Sequence, residues 1–192
     1  MAEPKWVTIN GRHVPIYEDD FESKYKNINP GYKEDAGIFD KEGRNNNCVK
    51  CALAFEANMR GEDTEANAFE FGNPEDLNKS KSVEKAFGFR QGDIWEVGGS
   101  NVKQVIQNVT EFMEEFGPGS RAILQSWTAS QKHAFNVIND NGRIIFVDPL
   151  TGVSDGGKKV LSGVKLSGLG LIRTDDREMA EEYRKWAYKS RK

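Results

Sequence analysis

The stretch NNNCVKCALAFEANMRG, Asn45 to Gly61, joins three signals that seldom sit side by side. Three asparagines in succession favour turns and caps over regular structure. Two cysteines follow at C-x-x-C spacing, and they are the only two in the chain. Out of them runs a helical period. Ala52, Phe55 and Met59 recur at three and four residues, with Cys51, Leu53 and Ala54 widening the apolar side. Gly61 suits the left-handed position that ends a helix. The pattern predicts a helix over Cys48–Arg60, with Cys48 where a polar loop meets the helix N-terminus.

Four readings of the cysteine pair compete. A structural zinc site needs four ligands, and neither His13 nor His133 has ligand spacing to complete one. A thioredoxin-like redox pair belongs at the end of a βα unit, whereas here the preceding residues are an asparagine loop. Both as core residues suits Cys51, which lies one turn into the helix beside Phe55. Cys48 fits a fourth reading. Unpaired N–H groups and the positive end of the helix dipole favour a thiolate at its position, and a thiolate is the nucleophile. The same N–H groups, with Asn47 as a candidate side-chain donor, suit an oxyanion.

Such a nucleophile needs a base and a group that orients the base. QKHAFNVINDNGRIIFVDPLTG, Gln131 to Gly152, supplies both. Two strands flank turn chemistry at NDNG, with His133 at the start of the first and Asp148 at the end of the second. A four-residue loop over Asn139–Gly142 places His133 directly opposite Asp148. A two-residue loop at Asn141-Gly142 puts Phe135 opposite Asp148, with His133 diagonal on the same face. Loops of three or five residues would part them onto opposite faces.

The remaining elements frame these two stretches. KWVTINGRHVPI alternates around Asn10-Gly11 and predicts a hairpin over Lys5–Ile16, with His13 an ordinary surface imidazole. The charged, glycine-punctuated run that follows reads as a long irregular arm over the surface. Asn73 and Pro74 open one or two short helices. NVKQVIQNVTEFMEEFGPG carries one broad apolar stripe from Val102 to Phe116, capped by Ser100 and stopped by Gly117-Pro118. RAILQSW is a strand, and GLIRTD and Val160–Leu166 are further candidates. DDREMAEEYRKWAYKSRK predicts a final helix with Met179, Tyr183 and Trp186 packed on one face. The order predicts an α+β fold, the cysteine helix ahead of an antiparallel sheet. Residues 1–44 form the hairpin and arm, and 45–192 the main domain.

Composition narrows the function. At 192 residues the chain buries a core without staples. A net charge of −3 argues against a general nucleic-acid binder. No apolar run is long enough to span a membrane, and MAEPKWVTIN lacks the apolar segment of a secretory leader, so a cytoplasmic, reducing site of synthesis is expected.

NCVKCALAFEANMRG and HAFNVINDNGRIIFVDPLTG together resemble the papain-fold toxin domain of the glutamine deamidase class, which occurs in bacterial polymorphic toxins, effectors and phage-encoded proteins. The family pattern is an Asn-Cys that opens a helix, a His-Ala-Phe strand and a strand that ends Asp-Pro. It falls here on Asn47-Cys48, His133-Ala134-Phe135 and Asp148-Pro149. The resemblance spans about Asn45 to Gly152. It implies a papain-like fold with Cys48 as nucleophile, His133 as base and Asp148 as orienter. It also implies hydrolysis of a reactive glutamine on a protein substrate, no cofactor or metal, and an immunity or inhibitor protein as a second partner. Delivery into another cell or carriage in a phage particle would follow. A cysteine peptidase or isopeptidase shares the same chemistry. A non-catalytic phage structural protein of the same fold is the alternative from another class.

Overall fold

The computed structural model describes residues 5–9, 12–16, 21–35, 40–80, 83–90, 93–126 and 132–191. Strands β1 (Lys5–Ile9) and β2 (Arg12–Ile16) pair antiparallel with Ile9 opposite Arg12, as a hairpin with a two-residue connection requires. The Asn10-Gly11 turn and the His13 side chain lie outside the described residues.

Helix α1 runs from Cys48 to Met59, and its end follows from the sequence. Gly61 takes φ +95°, Gly61 N–H donates to Asn58 O and Glu62 N–H to Ala57 O, a Schellman closure. The helix is not one-sided. Every residue from Val49 to Met59 is buried, because the chain packs around it on all sides. Phe55 meets the rings of Phe21 at 6.2 Å and Tyr25 at 6.4 Å. Burial of a side chain that size contributes about 1.5–3 kcal/mol.

Two of those neighbours come from the run read as a surface arm. Tyr25 and Ile28 are buried in the same core as α1. Residues 21–35 carry little regular structure, a 3-10 turn at Glu22–Lys24 and 3-10 residues at 34–35, yet they form one wall of the packed body.

The central sheet holds six antiparallel strands in the order β4-β9-β5-β6-β7-β8. They are β4 (Trp95–Glu96), β5 (Arg121–Ser126), β6 (Ala134–Asp140), β7 (Arg143–Asp148), β8 (Val153–Asp155) and β9 (Leu169–Arg173). Asn141 at φ +52° and Gly142 at φ +93° make the two-residue turn between β6 and β7. Alternation divides the sheet. Ile123, Ala134, Ile138, Val147 and Ile172 pack toward α1. Leu124, Phe135, Val137, Phe146 and Leu171 pack toward α4 (Val102–Phe116). The sheet is therefore the middle of three layers. Asn101, not Ser100, caps α4: its Oδ1 accepts from Gln104 N–H at 3.0 Å, while Ser100 bonds the Gln104 side chain.

One buried carboxylate locks α1 onto this sheet. Glu56 accepts from Arg121 Nε and Nη2 at 3.0 Å each, from Arg60 Nε at 2.9 Å and from Thr174 Oγ1 at 3.1 Å. Two guanidiniums and a hydroxyl satisfy the buried charge, so the rotation of α1 is fixed.

Two further expectations are corrected. Val160–Leu166 is not a strand. The Asp155 carboxylate accepts from the N–H groups of Gly157 at 2.9 Å and Lys159 at 2.7 Å, which winds the chain into turns. The short strand β8 comes before them instead. The final helix, α5, is only Glu181–Ala187. Tyr188–Ser190 leaves it as β10 and pairs with β3 (Thr64–Ala66), since the ladder satisfies backbone groups that three more helical residues would leave at a frayed end. Met179, Tyr183 and Trp186 do pack in the core. Asn73 caps α2 (Pro74–Lys79), and α3 (Val83–Ala86) follows, as the sequence indicated.

Candidate active site

The loop before α1 is wound by its own side chains. Asp40 accepts from the N–H groups of Glu42 at 3.1 Å, Arg44 at 2.6 Å and Asn45 at 3.2 Å. Gly43, at φ +67°, passes so close to Phe69 that a Cβ would stand 2.0 Å from its carbonyl oxygen. The asparagines then lace the loop to distant segments. Asn45 Nδ2 donates to Lys33 O at 2.8 Å. Asn47 Nδ2 donates to Asn29 Oδ1 at 3.0 Å and Asn67 O at 3.1 Å, and Asn29 in turn holds Arg44 O and Leu150 O.

This lacing corrects the expectation for Asn47. Its side chain is 1% exposed and both its amide N–H groups are engaged inward, so it offers no donor to the site. It braces the turn that carries Cys48.

Cys48 is the first residue of α1 and is half-buried. Its side chain is one of the groups that raise the pKa of the His133 ring. His133 stands just ahead of β6, where its carbonyl accepts from Ser126 N–H and extends the β5–β6 ladder. The β6–β7 register pairs Asp140 with Arg143, the two-residue solution, so His133 reaches Asp148 on the diagonal. His133 Nε2 lies 3.0 Å from Asp148 Oδ2, while Asp148 Oδ1 accepts from Leu150 N–H at 3.0 Å. With Nε2 on the carboxylate, Nδ1 is left for the thiol.

Charge at the site is concentrated on the imidazole. Burial opposes its protonation, but the bond to Asp148 and the influence of Cys48 outweigh burial and push its pKa up to about 10. A cation beside the sulfur is the kind of neighbour that turns a thiol into a nucleophile. Cys51 differs. It is fully buried, and burial first, then the Cys48 charge, pushes its thiol well above the ordinary value. Cys51 lies in the core, as its place one turn into the helix indicated, and Cys48 stands where the loop meets the helix. Among the described residues, no group of three or more His, Cys, Asp or Glu side chains is arranged to hold a metal ion.

A cleft of about 470 Å³ opens over the His133–Asp148 pair. Tyr32 and Glu34 of the arm line one part of it. Thr151, Val153, Lys159, Val160, Ser162, Gly163 and Val164 line the rest. These wall residues were missed in the sequence. The Asp155-Gly156 dipeptide, a turn former, is the signal that could have marked where the segment after β8 doubles back.

A family model described as "Papain fold toxin 1, glutamine deamidase" matches residues 46–153. The chain belongs to this family. The match opens one residue before Asn47-Cys48 and closes shortly after Asp148-Pro149, so it encloses all three residues of the cluster. No curated protein and no solved structure matches the chain. The papain-fold assignment agrees with the helix-on-antiparallel-sheet architecture. Among the described residues, no helix is long and apolar enough to cross a membrane.

Proposed function

We propose that the protein is a glutamine deamidase that acts on a protein substrate, with Cys48 as nucleophile, His133 as acid and base, and Asp148 as the group that orients His133. The observation that carries this reading is the convergence on one imidazole of a helix-N-terminal thiol and, at 3.0 Å, a carboxylate from the neighbouring strand.

The chemistry follows from the geometry. The Cys48 sulfur attacks the side-chain carbonyl carbon of a glutamine. The oxyanion that forms is stabilised by the first backbone N–H groups of α1, which have no partner within the helix. His133 gives its proton to the departing nitrogen, and ammonia leaves a thioester on Cys48. The now neutral imidazole takes a proton from water, and the resulting attack on the thioester releases glutamate and the thiol. Asp148 keeps Nε2 engaged throughout, so Nδ1 faces the reaction. The word toxin in the family's description supports a toxin role; delivery to another cell or carriage in a phage particle, and an immunity or inhibitor protein as partner, belong to the same proposal.

Incubation of the protein and its Cys48→Ala variant with a host-cell extract tests the reading. Deamidation leaves a target intact, about 1 Da heavier and one charge more negative, because an amide becomes a carboxylate of pKa near ~4.3. Cys48-dependent peptide fragments without Gln-to-Glu conversion would replace the deamidase with a peptidase. An acyl group retained on an added amine would make it a transglutaminase.

A further inference from the structure

Deamidation uses one cysteine, and the structure places a second beside it. Cys48 and Cys51 occupy positions i and i+3 of one helix, so their side chains lie on the same face. Helical geometry puts their Cα atoms roughly 5 Å apart, inside the range a disulfide spans. Both are free thiols, one half-buried beside the cleft and one fully buried in the core against which Cys48 packs. No step of the proposed reaction uses Cys51.

We propose that Cys48 and Cys51 form a reversible disulfide that switches the site off under oxidising conditions. The consequence for activity rests on the reading of Cys48 as nucleophile. The oxidant is a small disulfide such as oxidised glutathione. The Cys48 sulfur attacks one glutathione sulfur. The glutathione S–S bond breaks, and one glutathione leaves with the electron pair and takes up a proton. Cys51 then loses its proton and attacks the Cys48 sulfur, which expels the second glutathione as a thiol. Two protein thiols are oxidised and one glutathione disulfide is reduced. Cys51, shut off from solvent, meets no bulk oxidant and acts only in the second step. Closure removes the thiol from His133. A reducing compartment opens the pair and an oxidising one closes it.

The test equilibrates the full-length protein in oxidised glutathione, then measures intact mass and alkylatable thiols, before and after dithiothreitol. The expected product is about 2 Da lighter, with both thiols blocked and both restored by reductant. Cys51→Ser should stop at a glutathione adduct on Cys48, with Cys51→Ala as a second variant should the first fail to fold. A wild-type protein that keeps the adduct, or that keeps both thiols free, overturns the switch. If neither variant folds, titration of the wild-type protein across glutathione buffers decides alone. None of these readouts needs activity, so failure of the deamidase assay in fully reduced protein would sink the functional reading and leave the disulfide result standing.

Discussion

His133 reaches Asp148 diagonally across the ends of β6 and β7, with Nε2 3.0 Å from Oδ2, and Cys48 also favours the protonated ring. The proton held between these groups sets the first prediction. Observed by NMR, the His133 ring should stay protonated through neutral pH and titrate near about 10, and Asp148→Asn should lower that value. The folded value lies above the ordinary 6.5, so protonation of His133 favours the folded state. That contribution is fully present below about 6.5 and is lost as pH rises through about 10. Urea unfolding of the wild-type protein and of His133→Asn should therefore differ most at mildly acidic pH and converge toward pH 10. A gap that widened with alkaline pH would contradict the sign.

The two cysteines should separate cleanly. Cys48→Ala is expected to abolish activity in a protein of near-normal stability. Cys51→Ala should retain activity under reducing conditions while it loses on the order of 1 kcal/mol of stability, because it leaves a small void in a fully buried site. Equal loss of activity in both folded variants would show that the two sulfurs work as a unit.

Glu56 has no place in the chemistry, yet it governs where the chemistry sits. Removal of its carboxylate leaves Arg121 and Arg60 without their shared partner beneath α1. Glu56→Ala should cost about 3–5 kcal/mol, read as a lower urea midpoint with an unchanged slope. A loss under 1 kcal/mol would mean that water replaces the carboxylate.

Gly157 supports the far wall of the cleft. It takes φ +104°, and a Cβ there would stand 2.7 Å from Ile106 Cγ1 and 3.1 Å from the Phe146 ring. Gly157→Ala should cost about 1–3 kcal/mol and shift the segment that carries Lys159 to Val164. In an assay on a protein substrate, KM should rise more than kcat falls, because the reacting groups themselves are untouched. An unchanged KM would remove this wall from substrate binding.

What the sequence revealed tracks how local each cause is. The ends of α1 and the Asn73-Pro74 cap are decided by neighbouring residues, and each was legible. The diagonal placement of His133 was one of two solutions, and the loop chose between them. What escaped notice depends on remote partners. β3, β4, β8 and β10 are two or three residues long and exist because another strand lies alongside. Tyr25 and Ile28 look like parts of a polar arm until Phe55 is placed beneath them. Asn47 read as a donor to the site because nothing nearby in the chain showed that Asn29 and Asn67 would claim its amide.

The place of β9 in the sheet has a consequence for how the protein comes into being. Leu169–Arg173 lies between β4 and β5, so a segment made late fills a gap among segments made earlier. Until it arrives, β5 presents an open edge with unpaired backbone groups. A nascent chain halted after Asp148 already carries Cys48, His133 and Asp148 but lacks the strand that completes their support. The same holds for a fragment trimmed to residues 46–153. Closure of the sheet behind the His133–Asp148 pair is thereby deferred until β9 has been made.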